Sequence, residues 1–234
     1  MGTGAISSPA DAFSFDNSAV DALAFQADGK MLVGGIFNQY NGAARLSLAR
    51  LGDNLAFTAV SRKVHPGAAT FDINLPVTGP VGVECRSGGA TNNYQVVFSL
   101  AGAATFNNAS ISSGAGSVSA ANGSGTATIT LDLTGVTSIQ TITVTLAGAS
   151  DGLNTRDLSV PMGVLIGDTT GNGMVNATDV GQTKGQSGQA VTGANFRLDV
   201  NVSGGTIGAS DISLVKSNSG NELPPVAPDR KASD

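Results

Sequence analysis

The sequence has no tryptophan, one cysteine, one histidine and two tyrosines among its 234 residues. A single cysteine, Cys85, cannot form an intrachain disulfide, and one cysteine with one histidine cannot supply the four ligands of a structural zinc site. Charged residues are also scarce: they make up 12% of the chain, about half the share of an average soluble domain. Disulfides and zinc are therefore excluded as sources of stability.

Basic runs and long apolar runs are missing as well. The net charge is −5, so nucleic acid and anionic membrane surfaces are not expected partners. No apolar stretch approaches the roughly 18 residues that a transmembrane helix needs, and we expect no membrane span. Nucleotide-binding motifs of the G-x-G-x-x-G or P-loop type are absent.

The residues that could support catalysis are few and poorly placed. Ser150 lies in "GASDG", which satisfies the pattern of a hydrolase nucleophile elbow, but the following "LNTRDLSVPM" does not read as the required helix. His65 precedes a proline in what reads as a linker, and Cys85 reads as a structural thiol. Asp72 and Glu84 could form a carboxylate pair, although solvated charges at strand edges are the default. The sequence predicts no enzyme.

What the sequence does contain is 41% hydrophobic residues in regular patterns, with 32 glycines between them. This composition predicts many short strands joined by glycine-rich turns. Low charge with abundant Thr, Ser, Gly and Asn is typical of exported bacterial protein. We therefore expect an extracellular or cell-surface location, the C-terminal part of a longer protein, and a signal peptide upstream of this chain.

Residues 64–161 show the alternation of half-buried strands. In "TATITLDL" the apolar side chains Ile129, Leu131 and Leu133 fall on one face, and "TITVTLAG" repeats the scheme. Seven or eight short strands in about 100 residues predict an immunoglobulin-like β-sandwich, without the Cys-Trp-Cys pin of true immunoglobulin domains. The further candidate strands are Phe71–Leu75, Val81–Arg86, Tyr94–Leu100, Phe106–Ile111 and Leu158–Val160.

A sugar-binding or adhesive role for this sandwich is the alternative from another functional class, with polysaccharide as the partner. Such modules commonly present aromatic platforms to sugar rings. The chain has only Tyr40 and Tyr94, in different segments, and no tryptophan. Polar loops could still bind sugar, so this alternative stays open.

Residues 1–60 predict a β-hairpin repeat. Asp28-Gly29 separates the apolar runs Ala22–Phe25 and Met31–Val33 as a tight turn would, Gly34-Gly35 and Asn41-Gly42 mark further breaks, and "RLSLARL" makes a third strand. The "DGKMLVGG-F" core, the "NG" turn and "LARL" resemble one copy of the delta-60 repeats of bacterial surface proteins, which have propeller-like β architecture. An ordinary hairpin is the equal alternative.

Residues 162–222 contain an internal repeat. "NATDVGQTKGQSG" (176–188) and "GASDISLVKSNSG" (208–220) align with a shift of 32 residues, and an aspartate-led loop precedes each segment. A solvated turn has no reason to recur with the same downstream segment. The repeat therefore favours a shared chemical role for the two loops.

The spacing of oxygen-bearing residues in these loops matches a twelve-residue calcium loop, which uses positions 1, 3, 5, 7, 9 and 12 and a glycine at position 6. Gly173 occupies position 6 of the first loop, and the second loop is one residue longer within Gly204-Gly205. The predicted calcium ligands are Asp168, Thr170, Asn172, the Met174 carbonyl, Asn176 through water and Asp179 in the first loop, and Asp199, Asn201, Ser203, a carbonyl near Thr206 and Asp211 in the second.

"GDTTGNGMVNATDVGQTK" and "DVNVSGGTIGASDISLVK" resemble the two halves of a type I dockerin. The resemblance implies paired calcium sites, short packed helices and a cohesin-like partner that is recognised through loop positions 10 and 11. Those positions are Ala177-Thr178 and Ala209-Ser210 in this chain. Departures from the family pattern are Thr170 and Ser203 at ligand positions, Gly181 in the first helix and the insertion in the second loop.

Together these features predict a mainly β chain: an immunoglobulin-like β-sandwich plus a small α-helical dockerin-like domain with paired calcium loops. The expected divisions are 1–60, 64–161, 162–222 and a disordered tail, 223–234. The expected function is that of a non-catalytic extracellular calcium-binding module that docks or presents a larger secreted protein. Polysaccharide degradation is a process in which such a protein could take part.

Overall fold

The structure is a computed structural model that describes residues 7–8, 11–12, 19–25, 31–40, 43–44, 46–51, 55–152 and 154–225. The chain forms two compact units, Met1–Asn54 and Leu55–Asp234. Strands dominate both units, which confirms the prediction of a mainly β chain. No helix in the described ranges combines the length and the apolar character that crossing a bilayer requires.

The first unit contains short antiparallel strands. Its largest sheet is a hairpin of β3 and β4 with β7 added against β4, and Val33, Phe37 and Ala49 form a small buried core. The strands are β1 (Ser7–Ser8), β2 (Asp11–Ala12), β3 (Ala19–Phe25), β4 (Met31–Ile36), β5 (Gln39–Tyr40), β6 (Ala43–Ala44) and β7 (Leu48–Leu51).

The predicted breaks in this unit have different outcomes. Gly34-Gly35 does not break the chain but lies inside β4, where a Cβ on Gly35 would come within 2.0 Å of the Ala19 carbonyl oxygen on β3. Glycine is needed there for close strand approach, not for a turn. The turns at Asp28-Gly29 and Asn41-Gly42 lie outside the described residues.

The described part of the second unit contains two sheets and two α-helices. The strands are β8 (Phe57–Val64), β9 (Thr70–Asn74), β10 (Gly82–Glu84), β11 (Tyr94–Ala104), β12 (Asn108–Ser113), β13 (Ser117–Asn122), β14 (Thr126–Thr134), β15 (Gln140–Ser150) and β16 (Thr155–Val164). The α-helices are α1 (Ala177–Gly185) and α2 (Ala209–Ser217), and 3₁₀ turns cover Gly89–Thr91 and Phe196–Leu198.

The two sheets form a β-sandwich around one hydrophobic core. One sheet has the order β13-β14-β11-β8-β9 and the other β10-β16-β15-β12, with all pairs antiparallel except β10 and β16. The alternating apolar residues of β14 and β15 face this core as predicted: Ile129, Leu131, Leu133, Ile142, Val144 and Leu146 are all at most 1% exposed.

Strands β8 and β13 were missed by the sequence reading. β8 pairs with both β11 and β9, yet two of its buried positions are Ala59 and Ser61, a small residue and a hydroxyl. Its hydrophobic alternation is therefore weak in the sequence. In β13 only Val118 is a large apolar residue, which leaves the same gap in the pattern.

The two helices pack on the end of the sandwich. Leu165, Val175, Val200 and Val215 form a core that includes Val83 of the sandwich. The predicted division at 161/162 falls inside β16, which continues to Val164, and Leu223 packs against this core just beyond the predicted division at 222. Residues 226–234 of the predicted disordered tail lie outside the described residues.

Both helices begin with an acidic residue in the first turn. Asn176 caps α1, accepting a hydrogen bond from the Thr178 amide, while Asp179 Oδ2 accepts one from the Asn176 amide at 2.8 Å. At α2, Asp211 Oδ2 accepts the Gly208 amide at 2.9 Å. These bonds satisfy amides that a helix leaves unpaired at its start.

Replacing a central core residue of the sandwich should be costly. Leu131→Ala removes a fully buried side chain and should lower the free energy of unfolding by about 2–5 kcal/mol, measured by urea denaturation. Val64→Ala is the control, because Val64 ends β8 in the same sheet, is 65% exposed and should change stability little. Equal effects of the two substitutions would contradict the assignment of the core.

Candidate metal centre

The first loop runs from Asp168, just after β16, to Asp179 in the first turn of α1. Both aspartates have no exposed surface. The chain bends between them at Gly171 and Gly173, whose φ angles of 76° and 87° lie in the left-handed region that glycine tolerates. The predicted bend at Gly173 is therefore where the sequence placed it.

Backbone amides of the loop orient both carboxylates. Asp168 Oδ1 accepts the amides of Gly171 and Asn172 at 2.8 and 3.2 Å, and Asp168 Oδ2 accepts the Gly173 amide at 2.8 Å. Asp179 Oδ1 accepts the Thr170 amide at 3.0 Å. The loop thus folds around the two acidic side chains.

Thr170 lies between the two carboxylates. Its Oγ1 is 3.1 Å from Asp168 Oδ1 and 3.0 Å from Asp179 Oδ1. A hydroxyl has one hydrogen and can satisfy only one of these oxygens well at a time. Oxygens that share a calcium ion at 2.3–2.6 Å are themselves about 3 Å apart, so this spacing fits a calcium shell.

The carboxylates of the first loop have no cationic side-chain partner among the described residues. The guanidinium of Arg197 contacts this loop, but it donates to the backbone carbonyls of Asp168 and Thr169, at 3.0 and 2.9 Å. Burying an ionised carboxylate without a compensating charge is costly. A bound cation would supply that charge.

The other predicted ligands of this loop are neutral. Asn172 Oδ1 accepts a hydrogen bond from the Met174 amide at 2.9 Å, and Asn176 Oδ1 accepts one from the Thr178 amide at 2.8 Å. Each of these two oxygens therefore already accepts one backbone hydrogen bond. Met174 itself forms a backbone bridge with Glu222. No cluster of three or more His, Cys, Asp or Glu side chains suited to a metal occurs in the described ranges. A cation here would depend on hydroxyl, amide and carbonyl oxygens.

In the second loop, backbone amides again orient two buried aspartates. Asp199 Oδ1 accepts the Ser203 amide at 3.0 Å and Asp199 Oδ2 the Gly204 amide at 2.8 Å. Asp211 Oδ1 accepts the Asn201 amide at 3.1 Å. Ser203 Oγ lies 3.4 Å from Asp199 Oδ1. The structure therefore brings together Asp199, Asn201, Ser203 and Asp211.

The extra residue of the second loop is accommodated where the sequence placed it. Gly204 and Gly205 both have φ in the left-handed region, at 69° and 67°. A Cβ on Gly204 would lie 1.8 Å from the Pro66 carbonyl oxygen, so the loop contacts the segment after β8 directly. Thr206 is exposed and forms a bridge with Ala190.

The second loop also receives a side chain that the sequence reading misplaced. His65 does not lie in a linker: it directly follows β8, is 1% exposed, and its Nδ1 lies 2.7 Å from Asp199 Oδ2. The other ring nitrogen of His65, Nε2, lies 3.2 Å from Arg86 Nη1. A guanidinium only donates, so Nε2 accepts and Nδ1 carries the hydrogen that goes to Asp199.

Arg86 belongs to a buried charge cluster with Glu84 and Ser61. Its guanidinium donates to both carboxylate oxygens of Glu84, at 2.8 and 2.7 Å, and Ser61 also donates to Glu84. Burial disfavours the charged form of Glu84, but Arg86 and Ser61 outweigh it and lower the Glu84 pKa. Asp72 and Glu84 do not form the alternative carboxylate pair, because Asp72 pairs with Arg62. The default expectation of solvated charges is wrong for Glu84, which is fully buried.

The second-loop aspartates titrate differently from each other. Burial opposes ionisation of Asp199, yet the hydrogen bonds from His65 and Gly204 outweigh it and lower the Asp199 pKa. Burial dominates at Asp211 and raises its pKa despite the Gly208 and Asn201 amides. The difference follows from the contact that only Asp199 makes with the sandwich.

The remaining predicted residues are placed as follows. Ala177, Thr178, Ala209 and Ser210 are all exposed at the helix starts, and Ser210 Oγ accepts from Asn201 Nδ2 at 2.7 Å. Their role in partner binding stays a prediction. Ser150 ends β15, is followed by β16 and not by a helix, and donates to the Asn154 carbonyl.

Comparison with known proteins gives one family match. Residues 26–54 match the model described as "Domain of unknown function (DUF5122) beta-propeller". These residues lie within 1–60, the segment for which a propeller-type repeat was predicted. Neither the curated proteins nor the solved structures contain a match to the chain.

The resemblance of residues 162–222 to a type I dockerin is wrong. The family match lies in the first unit and describes a β-propeller domain, and the described chain is mostly β with only two α-helices. The motif that carried the resemblance is a short spacing of polar residues, and such spacing reports local loop geometry without specifying a family. The expectation of a cohesin-like partner rested on that resemblance alone.

The Cys85 thiol should be inert in the folded protein. Cys85 is fully buried, and burial raises its pKa to about 11. At pH 8 a thiol-specific reagent should therefore leave the native protein unlabelled and label it stoichiometrically in denaturant. Rapid labelling of the native protein would show that Cys85 is accessible.

Breaking the buried ion pair should be much costlier than breaking an exposed one. Glu84→Gln leaves the Arg86 charge buried without a full partner and should lower the free energy of unfolding by about 3–5 kcal/mol. Asp72→Asn breaks the exposed Arg62–Asp72 pair and should cost about 1 kcal/mol or less. The double variant Glu84→Leu/Arg86→Met should be less destabilised than Glu84→Gln, because it leaves no unpaired buried charge. Chemical denaturation of the two single variants and the double variant measures these differences.

Proposed function

We propose that the two loops at residues 168–179 and 199–211 bind calcium and that the chain is a non-catalytic, calcium-stabilised module of an extracellular or cell-surface protein. The observation that carries this proposal is the first loop. Two fully buried carboxylates converge there on one threonine hydroxyl, without a cationic side chain among the described residues. A hard divalent cation is the partner that such an oxygen cluster favours.

The donor set supports a hard cation such as calcium over zinc or copper. All the candidate ligands are oxygens, which excludes a preference for zinc or copper, since those ions select sulfur and nitrogen ligands. Only two carboxylates contribute to each loop, so we expect weak binding, with Kd on the order of 10⁻⁴ to 10⁻³ M as in extracellular modules. Millimolar extracellular calcium would fill such sites.

The ion would act on stability and not on catalysis. The helices share a small core, and their two loops hold four buried carboxylates. An ion that binds only the folded loops stabilises the fold by mass action. We therefore propose that the helical region is stably folded where calcium is abundant and less stable where calcium is scarce.

No described feature favours the sugar-binding alternative. Tyr94, the tyrosine of the sandwich, is 3% exposed, and Lys63 Nζ covers its ring at 4.3 Å from the centroid. It cannot act as a stacking platform in this state. The side chain of Tyr40 lies outside the described residues.

Calcium should raise the stability of the helical region in the full chain. At free calcium about ten times Kd, each filled site should add about 1.4 kcal/mol to the free energy of unfolding. Hydrogen exchange should show slower exchange of the α1 and α2 amides in millimolar calcium than in excess chelator, while β14 and β15 amides change little. Calorimetry should show the matching rise in unfolding temperature.

Asp168→Asn should abolish most of the calcium effect at the first loop, because it removes a charged ligand and leaves the side chain nearly the same size. Glu222→Gln is the matched control: it removes one negative charge at an exposed position near the same loop. Identical unfolding temperatures and exchange rates in calcium and in chelator would show that the calcium proposal is wrong.

A further inference from the structure

The two loops differ in one respect that their sequences do not show. In the first loop, Asp168 Oδ2 accepts a hydrogen bond from the Gly173 amide. In the second loop, the equivalent Asp199 Oδ2 accepts the Gly204 amide and also receives His65 Nδ1 at 2.7 Å. One loop is oriented by its own backbone, and the other has additional support from the sandwich.

The geometry of Asp199 separates its two oxygens by role. Oδ2 accepts two hydrogen bonds, one from His65 Nδ1 and one from the Gly204 amide. Oδ1 accepts the Ser203 amide at 3.0 Å and lies 3.4 Å from the hydroxyl of the same residue, another predicted ligand. The His65 donor on Oδ2 therefore fixes the carboxylate from the sandwich, while Oδ1 lies beside another predicted ligand. Outer-shell hydrogen bonds position metal-binding carboxylates in this way.

Hydrogen bonds and two aromatic rings hold the His65 side chain in place. Arg86 Nη1 donates to its Nε2, and the Arg86 guanidinium is in turn bound to Glu84. The rings of Phe71 and Phe196 pack edge-on against the imidazole, with centroids at 5.2 and 6.3 Å. These contacts leave one tautomer and one ring orientation, with the Nδ1–H aimed at Asp199.

We propose that His65, held by Arg86 and Glu84, is a positioning residue for the second calcium loop. It sets the orientation of the Asp199 carboxylate from the sandwich, so the affinity of this loop for calcium depends on a residue more than 130 positions earlier in the chain. The inference rests on the proposed function, since it concerns how one of the two proposed calcium sites is organised.

The test uses the full chain and calcium itself, measured by titration calorimetry. Asp168→Asn/Asp179→Asn disables the first loop, so the remaining binding reports the second loop alone. In that background His65→Ala should weaken calcium binding by about 10- to 100-fold, the range found when an outer-shell partner is lost. His65→Asn should restore part of the affinity, because its carboxamide N–H can donate from near the position of Nδ1.

A reciprocal measurement separates positioning from general loss of structure. In Asp199→Asn/Asp211→Asn, where only the first loop can bind, His65→Ala should leave calcium affinity unchanged. Equal weakening of both loops would show that His65 acts only through overall stability and would overturn the inference.

The remaining outcomes distinguish the inference from the proposal beneath it. Unchanged affinity of the second loop in His65→Ala overturns the inference and leaves the proposed function intact. Binding of a single ion that disappears in Asp168→Asn/Asp179→Asn shows that the second loop binds none. That outcome overturns the inference and the second-loop part of the proposed function, and it leaves calcium binding by the first loop intact. If the wild-type chain binds no calcium, the proposed function fails and the inference fails with it.

Discussion

Compensation of buried carboxylate charge organises the second unit. Five carboxylates among the described residues of this unit are fully buried: Glu84, Asp168, Asp179, Asp199 and Asp211. Leaving an ionised carboxylate unpaired in a protein interior is too costly for a marginally stable fold. Each of the five is therefore surrounded by donors, and the way each is satisfied determines the local structure around it.

The five carboxylates are satisfied by different means. Glu84 has a guanidinium and a hydroxyl, and Asp199 has a histidine N–H in addition to backbone amides. Among the described residues, the donors to Asp168 and Asp179 are backbone amides and threonine hydroxyls. Hydrogen bonds orient these two groups without cancelling their charge, which is why the first loop is the strongest candidate for a bound cation.

The sandwich and the helical region are joined through a short stretch after β10. The Leu165 and Gly167 amides donate to the carbonyls of Glu84 and Cys85, and the Ser87 amide donates to the Val200 carbonyl. Val83 adds an apolar side chain to the helical core. Calcium binding would therefore act on a region that shares backbone hydrogen bonds and core packing with the sandwich.

Sequence patterns located the strands that have clear alternation and missed those that do not. β14 and β15 have large apolar residues at every second position, so a period of two was visible. β8 places Ser61 on its buried side because Glu84 needs a donor there. That need arises from a contact 23 residues away in the chain, and no local pattern reports it.

The sequence by itself determined the mainly β character and the positions of the loop aspartates, because alternation and loop spacing are local properties of the chain. Only the tertiary structure decided the role of His65. A histidine before a proline looked like part of a linker, but the fold buries it between Arg86 and Asp199. The dockerin resemblance failed for the related reason that a local spacing does not specify a family. Contacts between distant segments depend on the packing of whole sheets, and that information is spread over the chain.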